Sequence, residues 1–160
     1  AAKIRNAPPR HGSPRVVVSR RIPALGQLGD RLLGAIGLDG FSCVEFKLNP
    51  RDGIYKLMEV NARHNLSAWL AIKCGVDFPW IDYLYRTTGQ DPTPTSVRSG
   101  VYWIDLPSDI KQTLRNLGRE PMSPRSLLRP YARSHVFAVA SRRDPRPLLR
   151  RLHLWRSRHR

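Results

Sequence analysis

The chain has 160 residues, of which 41% are apolar and 25% charged, a composition typical of one globular domain or one domain with tails. No run of about 18 apolar residues is present, so we expect no membrane-spanning helix. The two cysteines, Cys43 and Cys74, are too few for a disulfide framework or a four-cysteine zinc site. We therefore expect a reducing, cytoplasmic setting.

The charge is strongly basic, with 28 Lys and Arg against 12 Asp and Glu, a net charge of +16. Such an excess over the whole chain favours a nucleic-acid-binding protein. By region, however, residues 1–21 contain six basic and no acidic residues, and residues 101–160 contain fourteen basic and four acidic ones. Residues 22–100 contain eight of each, so the middle of the chain is neutral.

Three regions are expected along the chain. Residues 1–21 predict an extended, basic and partly disordered lead-in, in which residues 16–18 are the only strand-like run. Residues 22–92 predict a subdomain that begins with a helix over 23–36, and residues 93–160 predict a C-terminal extension. The expected fold class is α+β, an antiparallel sheet with helices packed on one face.

The clearest predicted element is a β-hairpin. Residues 41–47 and 54–61 have strand composition, and the Asn-Pro-Arg-Asp-Gly run between them has the residues of a turn. The later predicted elements are helices over 65–73, 78–88, 109–117 and 123–128, strands over 101–105 and 136–140, and a basic helix over 145–160. From the helix patterns we expect five buried side chains: Trp69, Leu70, Ile72, Trp80 and Leu84.

Two of the three glutamates in the chain lie in this hairpin. Strand alternation and the short loop predict that Glu45 lies opposite or diagonal to Glu59, on the face that also carries Asn61. On the returning strand the same alternation predicts that Tyr55 and Leu57 share this face. Two carboxylates and an amide oxygen are hard ligands of the kind that Mg²⁺ prefers.

The alternative is that Glu45 and Glu59 are solvated residues on an exposed strand face. Arg63 follows Asn61 by two residues, where a guanidinium is able to hold a phosphate, or it is simply a surface residue. Spacing alone leaves these alternatives open. Lys47 and His64 stand near the motif without an assigned role, and Cys43, which has no predicted base beside it, is interpreted as a buried structural thiol.

The hairpin resembles a known family. The runs GFSCVEFK, NPRDG and KLMEVNAR, followed by LAIKCGVDFP and later by DPRP, are similar to the second half of an ATP-grasp domain. The likeness is strongest to the carboxylate–amine ligase branch, which includes D-aspartate-ligase-like enzymes, and covers residues 24–155 or thereabouts.

The resemblance implies roles for individual residues. Glu45, Glu59 and Asn61 match residues that bind the Mg²⁺ (or Mn²⁺) ions on the phosphates of ATP, and Arg63 matches a catalytic basic residue near the transferred phosphate. It implies that ATP phosphorylates a carboxylate substrate and that an amine substrate then displaces the phosphate.

The sequence departs from this family in one large respect. The first half of an ATP-grasp domain supplies phosphate-binding lysines, and residues 1–21 contain neither paired lysines nor a Gly-rich phosphate loop. We therefore expect a C-terminal fragment, or a degenerate or separately encoded half, inactive without an N-terminal partner supplied in cis or in trans. The alternative function is nucleic-acid binding by the arginine-rich segment 142–160, which contains Trp155.

Overall fold

The computed structural model describes residues 1–9, 12–90, 92, 94, 96–116, 122–141 and 143–157. Strands and helices are mixed along the chain, which confirms the predicted α+β class. In chain order the elements are β1 (Ala2–Ala7), β2 (Ser13–Val18), α1 (Pro23–Ala35), β3 (Cys43–Leu48), β4 (Tyr55–Asn61), α2 (Ala68–Lys73), α3 (Phe78–Thr88), β5 (Tyr102–Ile104), α4 (Leu106–Arg115), α5 (Pro124–Ala132), β6 (His135–Phe137) and α6 (Arg146–Ser157).

The central sheet has four strands in the order β1-β2-β5-β6. The β1–β2 and β2–β5 pairs are antiparallel and the β5–β6 pair is parallel, so the sheet is mixed and not purely antiparallel as predicted. The parallel pair arises because α4 and α5 intervene between β5 and β6 and return the chain in the same direction.

The predicted disordered lead-in is wrong for the described residues of this segment. Strands β1 and β2 both belong to the central sheet, and Val16, Val17 and Val18 are buried. Three consecutive β-branched residues are buried here because both faces of β2 are covered, so the strand lacks the polar alternation of a surface strand. The sequence marked residues 16–18 as strand-like, but the arginines and prolines around this short run indicated an extended lead-in.

Both faces of the central sheet carry packed side chains, which corrects the expectation of helices on one face. On one face Val17, Val101 and Trp103 pack with Leu70 and Cys74 from the region of α2. On the other face the buried residues Val16, Val18, Tyr102 and Ile104 pack with Tyr131 of α5. The sheet is therefore the middle layer of the described core.

Strands β3 and β4 form a separate two-stranded sheet, as the hairpin prediction required. The loop closes through a hydrogen bond from the Asn49 amide to the Ile54 carbonyl at 2.9 Å, and the Asp52 carboxylate accepts from the Ile54 amide at 2.9 Å. Gly53 occupies the left-handed region with φ of +67°, where a side chain is disfavoured. The turn residues therefore fix the register of the hairpin.

Two of the five side chains predicted to be buried are instead largely exposed. Leu70 is buried at 4% exposure, whereas Trp69 is 57% and Trp80 is 55% exposed. Ile72 and Leu84 are half-buried. Helix α2 has only six residues, so it presents a narrow apolar face to the sheet, and Trp69 is directed away from that face. No helix in the described residues has both the length and the apolar character needed to cross a membrane.

Candidate metal-binding site

The hairpin places its two glutamates directly opposite each other. Glu45 of β3 pairs with Glu59 of β4, and the next pair on the same face joins Cys43 to Asn61. Opposed residues of an antiparallel pair have Cβ atoms roughly 4.5–5.5 Å apart. The structure therefore confirms that Glu45 and Glu59 lie opposite each other on the face that carries Asn61.

A register shift lies beside this acidic pair and corrects one detail of the prediction. Glu59 pairs with Glu45, but the neighbouring pair joins Phe46 to Leu57, so Met58 is an extra residue on β4. Because of the extra residue, Leu57 lies on the opposite face from Glu59. Tyr55 likewise pairs with Leu48 on that apolar face.

The bulge sorts the hairpin into two chemically distinct faces. One face carries the apolar pairs Val44–Val60, Phe46–Leu57 and Leu48–Tyr55. The other carries the polar pairs Cys43–Asn61, Glu45–Glu59 and Lys47–Lys56. An acidic pair thus lies beside a basic pair on one strand face.

Each glutamate has a different polar partner. The Lys3 ammonium lies 2.5 Å from Glu45 Oε2 in an exposed ion pair, and the Asn61 side-chain amide donates to Glu59 Oε1. Among the described residues no ion pair neutralises Glu59. Of the two opposed carboxylates, only Glu45 therefore has a cationic partner among the described residues.

This donor set fits a divalent cation that also takes ligands from water or from a bound phosphate. Glu45 and Glu59 supply anionic oxygens from opposite strands, and Asn61 supplies a neutral amide oxygen if its side chain rotates away from the bond to Glu59. No group of three or more His, Cys, Asp or Glu side chains with metal-site geometry exists in the described part of the chain. A metal held here would accordingly rely on two carboxylates, the Asn61 amide oxygen and non-protein ligands.

The other residues singled out in the sequence near the hairpin have partners other than the acidic pair. Arg63 is exposed, and its Nη1 donates to the His64 carbonyl at 3.3 Å. The His64 ring packs on Phe41 with a centroid separation of 3.9 Å. Lys56, opposite Lys47, forms an exposed ion pair with Asp52 at 3.3 Å.

The two thiols occupy different environments. Cys74 is buried at 2% exposure in the core beside Leu70 and Trp103. Cys43 is only half-buried, which corrects its interpretation as a buried thiol, and its sulfur accepts a hydrogen bond from the Asn65 side-chain amide at 3.2 Å. Cys43 lies on the polar face of the hairpin because it pairs with Asn61.

A second polar cluster, which the sequence did not predict, lies inside the protein. Asp109 of α4 is 1% exposed, accepts a hydrogen bond from Arg15 at 3.0 Å and forms an ion pair with Arg5 at 3.1 Å. The Tyr131 hydroxyl donates to the same carboxylate at 2.7 Å. Burial, followed by this hydrogen bond, raises the pKa of Tyr131 above its usual value.

Nothing in the spacing of these residues indicated the cluster, because β1 and β2 were not recognised as sheet strands. The strand-like run over residues 16–18 marked the strand but did not show that the neighbouring Arg15 is buried. The cluster ties the two N-terminal strands to α4 and α5. We interpret it as structural.

The basic C-terminal helix is partly engaged with the fold. Arg151 of α6 donates to the buried carboxylate of Asp105 at 2.6 Å, and Ser108 donates to the same oxygen at 2.8 Å. Arg142, Arg158 and Arg160 lie outside the described residues. At least one arginine of the segment predicted to bind nucleic acid therefore has a structural partner.

Comparison with known protein families, with curated proteins and with solved structures finds no match.

Proposed function

We propose that the polar face of the β3–β4 hairpin binds Mg²⁺ or Mn²⁺ together with the phosphates of ATP, as part of an ATP-dependent carboxylate–amine ligase. The observation that carries this proposal is the cross-strand pairing of Glu45 with Glu59 beside Asn61. Like charges directly opposite each other destabilise a hairpin, and a divalent cation between them removes that cost.

The alternative of a solvated strand face explains the arrangement less well. A solvated acidic residue is more stable opposite a neutral or a basic partner than opposite another acidic residue, and lysines are available in the neighbouring pair Lys47–Lys56. The chain instead places acid opposite acid and base opposite base. Segregation of like charges favours a ligand that itself carries both signs, such as a metal–phosphate complex.

In the proposed reaction an oxygen of the carboxylate substrate attacks the γ-phosphorus of ATP, and ADP leaves. The amine nitrogen then attacks the acyl carbon, phosphate leaves, and the amine loses a proton to form the amide. A bound Mg²⁺ supplies charge neutralisation at the transferred phosphoryl group. Glu45, Glu59 and Asn61 would hold the ion, and we propose that Arg63, which is exposed two residues after β4, contacts the transferred phosphate.

This chain is proposed to contribute only part of the ATP site. The described residues contain no glycine-rich loop at a helix N-terminus of the kind that cradles phosphates. We therefore propose that a complementary polypeptide unit completes the site and supplies the pockets for the carboxylate and the amine. ATP binding by the chain alone should be weak.

Thermal unfolding with and without millimolar Mg²⁺ tests the metal site directly. A ligand that binds only the folded state raises the melting temperature, and Glu59→Gln should remove the increase because an amide replaces an anionic ligand. Asp30→Asn, an exposed change on α1 that removes the same charge, is the matched control. An increase that survives Glu59→Gln would place the metal elsewhere, and no increase in the native chain would contradict a preformed site.

Nucleic-acid binding is the competing function, and the same variants separate it from the ligase proposal. Binding of duplex or single-stranded DNA that persists in Glu59→Gln and weakens steeply with salt would favour the basic surface. Arg150→Ala is the informative change in the C-terminal helix, since Arg151 is already paired with Asp105.

A further inference from the structure

The acidic pair of the hairpin receives a cation from another sheet. Lys3 belongs to β1, an edge strand of the central sheet, and its ammonium lies 2.5 Å from Glu45 Oε2. The Lys3 and Glu45 side chains are 40% and 30% exposed, so both are accessible to a ligand from solvent. This ion pair links the two sheets at the candidate metal site.

A bulge in β1 explains why Lys3 reaches the hairpin. Lys3 pairs with Val17 and Arg5 pairs with Val16, so Ile4 is an extra residue in the strand. Without the bulge, Lys3 and Arg5 would lie on the same face of the sheet. With it, Arg5 enters the buried cluster around Asp109 and Lys3 lies on the face that also carries α2.

Arg5 also holds β1 in place. Its guanidinium forms an ion pair with Asp109 at 3.1 Å and donates to the Leu127 carbonyl at 3.4 Å, and the Arg5 side chain is 5% exposed. This buried anchor holds β1 against α4 and α5 two residues after Lys3. Lys3 therefore reaches Glu45 from a strand of the central sheet.

We propose that Lys3 is a positioning residue of the metal site, which acts as the counter-ion of Glu45 without a metal and as an anion contact when a metal–phosphate complex is bound. The proposal rests on the proposed function and adds to it the residue that selects a phosphate-bearing ion over the bare ion.

Bare Mg²⁺ and Mg²⁺–pyrophosphate carry opposite net charges, so the ammonium of Lys3 affects their binding in opposite directions. A bare divalent cation at Glu45 must displace the ammonium from the same oxygen and is then repelled by it. A cation that carries pyrophosphate brings negative oxygens to the place that Lys3 already occupies, and charge-assisted hydrogen bonds to phosphate are strong. Lys3 should therefore weaken binding of Mg²⁺ alone and strengthen binding of Mg²⁺–pyrophosphate.

Isothermal titration of the full chain with MgCl₂, and separately with Mg²⁺–pyrophosphate, tests this prediction. Lys3→Met should bind Mg²⁺ about threefold more tightly and Mg²⁺–pyrophosphate about threefold more weakly, effects of the size expected for an exposed charge pair. Lys3→Arg should restore both affinities to within about twofold because it keeps the charge. Lys73→Met removes an exposed lysine on α2 and should change neither affinity.

Changes of opposite sign distinguish a role at the site from a structural one, since a loosened fold would weaken both affinities together. Equal shifts in one direction, or no shift, in Lys3→Met would overturn the proposal for Lys3. If Mg²⁺ binding by the native chain depends on Glu59 while Lys3→Met has no effect, the metal site stands and only the role of Lys3 fails. If the native chain binds no Mg²⁺, or Glu59→Gln leaves binding intact, both proposals fail.

Discussion

Arg15 of β2 and Asp109 of α4 form a buried ion pair, with Nη1 3.0 Å from Oδ1 and side-chain exposures of 3% and 1%. The same nitrogen also donates to the Asp109 carbonyl and to the Thr113 hydroxyl, both at 3.1 Å. Arg5 approaches the second carboxylate oxygen. One carboxylate thus compensates two buried guanidinium groups and connects the N-terminal strands to α4.

Replacement of Asp109 should strongly destabilise the protein. Asp109→Ala leaves Arg5 and Arg15 buried without their shared anion, and loss of one partner from a buried ion pair costs about 3–5 kcal/mol. Urea unfolding measures the change in the free energy of unfolding. Asp82→Ala, which breaks the exposed pair with Arg86 on α3, should cost less than about 1 kcal/mol. Equal costs for the two variants would contradict the buried network.

Tyr131 should make the stability of the protein depend on pH in the alkaline range. Burial and the hydrogen bond to Asp109 raise its pKa in the folded state, so the folded protein keeps a proton that the unfolded chain loses near pH 10. The stabilisation from this group is complete below pH 10 and declines as pH rises further.

Tyr131→Phe lacks the hydroxyl and therefore lacks this pH-dependent stabilisation. The difference in unfolding free energy between the native chain and Tyr131→Phe should therefore shrink as pH rises above 10, with both proteins measured by urea unfolding in the same buffers. A constant difference across this range would show that the hydroxyl does not retain its proton preferentially in the fold.

The local elements were predictable where a short stretch of sequence determines them. The hairpin follows from residues within one turn of each other, since Asn49, Asp52 and Gly53 make the loop through their own hydrogen bonds and backbone preference. Alternation then placed Glu45 opposite Glu59. The bulge at Met58 escaped prediction because it changes strand pairing without any Gly or Pro to mark it.

Long-range relationships were not predictable from local pattern. Arg15 and Asp109 are separated by 94 residues, and Lys3 and Glu45 by 42. In sequence, Lys3 and its neighbouring arginines indicate only a basic segment, and their partners become evident once β1 joins the sheet. Local pattern also does not show which side of α2 faces the central sheet, so it predicts a buried Trp69 where the side chain is exposed.

The acidic pair should respond in opposite ways to Glu59→Gln with and without metal. In EDTA the variant removes a like charge opposite Glu45, which should stabilise the chain by about 0.5 kcal/mol, because cross-strand pairs contribute on that scale. In millimolar Mg²⁺ the native chain should become the more stable of the two. Urea unfolding in the two buffers gives both values, and parallel behaviour would indicate a solvated glutamate.

Gly53→Ala tests how far the turn controls the metal site. No atom lies within 4 Å of the position that the new Cβ would take, so the change acts through the backbone φ of +67° alone. A non-glycine residue in this region costs about 1 kcal/mol. We expect that loss in urea unfolding together with weaker Mg²⁺ binding, because the loop sets the register. Unchanged Mg²⁺ binding would show that the strands hold their register without the turn.

The two adjacent residues Trp69 and Leu70 provide a direct test of where α2 packs. Leu70→Ala should cost about 2–5 kcal/mol, because it opens a cavity beside Trp103 and Cys74 in the core. Trp69→Ala removes a larger side chain but one that is 57% exposed, so its cost should stay below about 1 kcal/mol. Thermal unfolding ranks the two variants without any assumption about function. The reverse order would mean that α2 is rotated about its axis and that Trp69 is the residue packed against the central sheet.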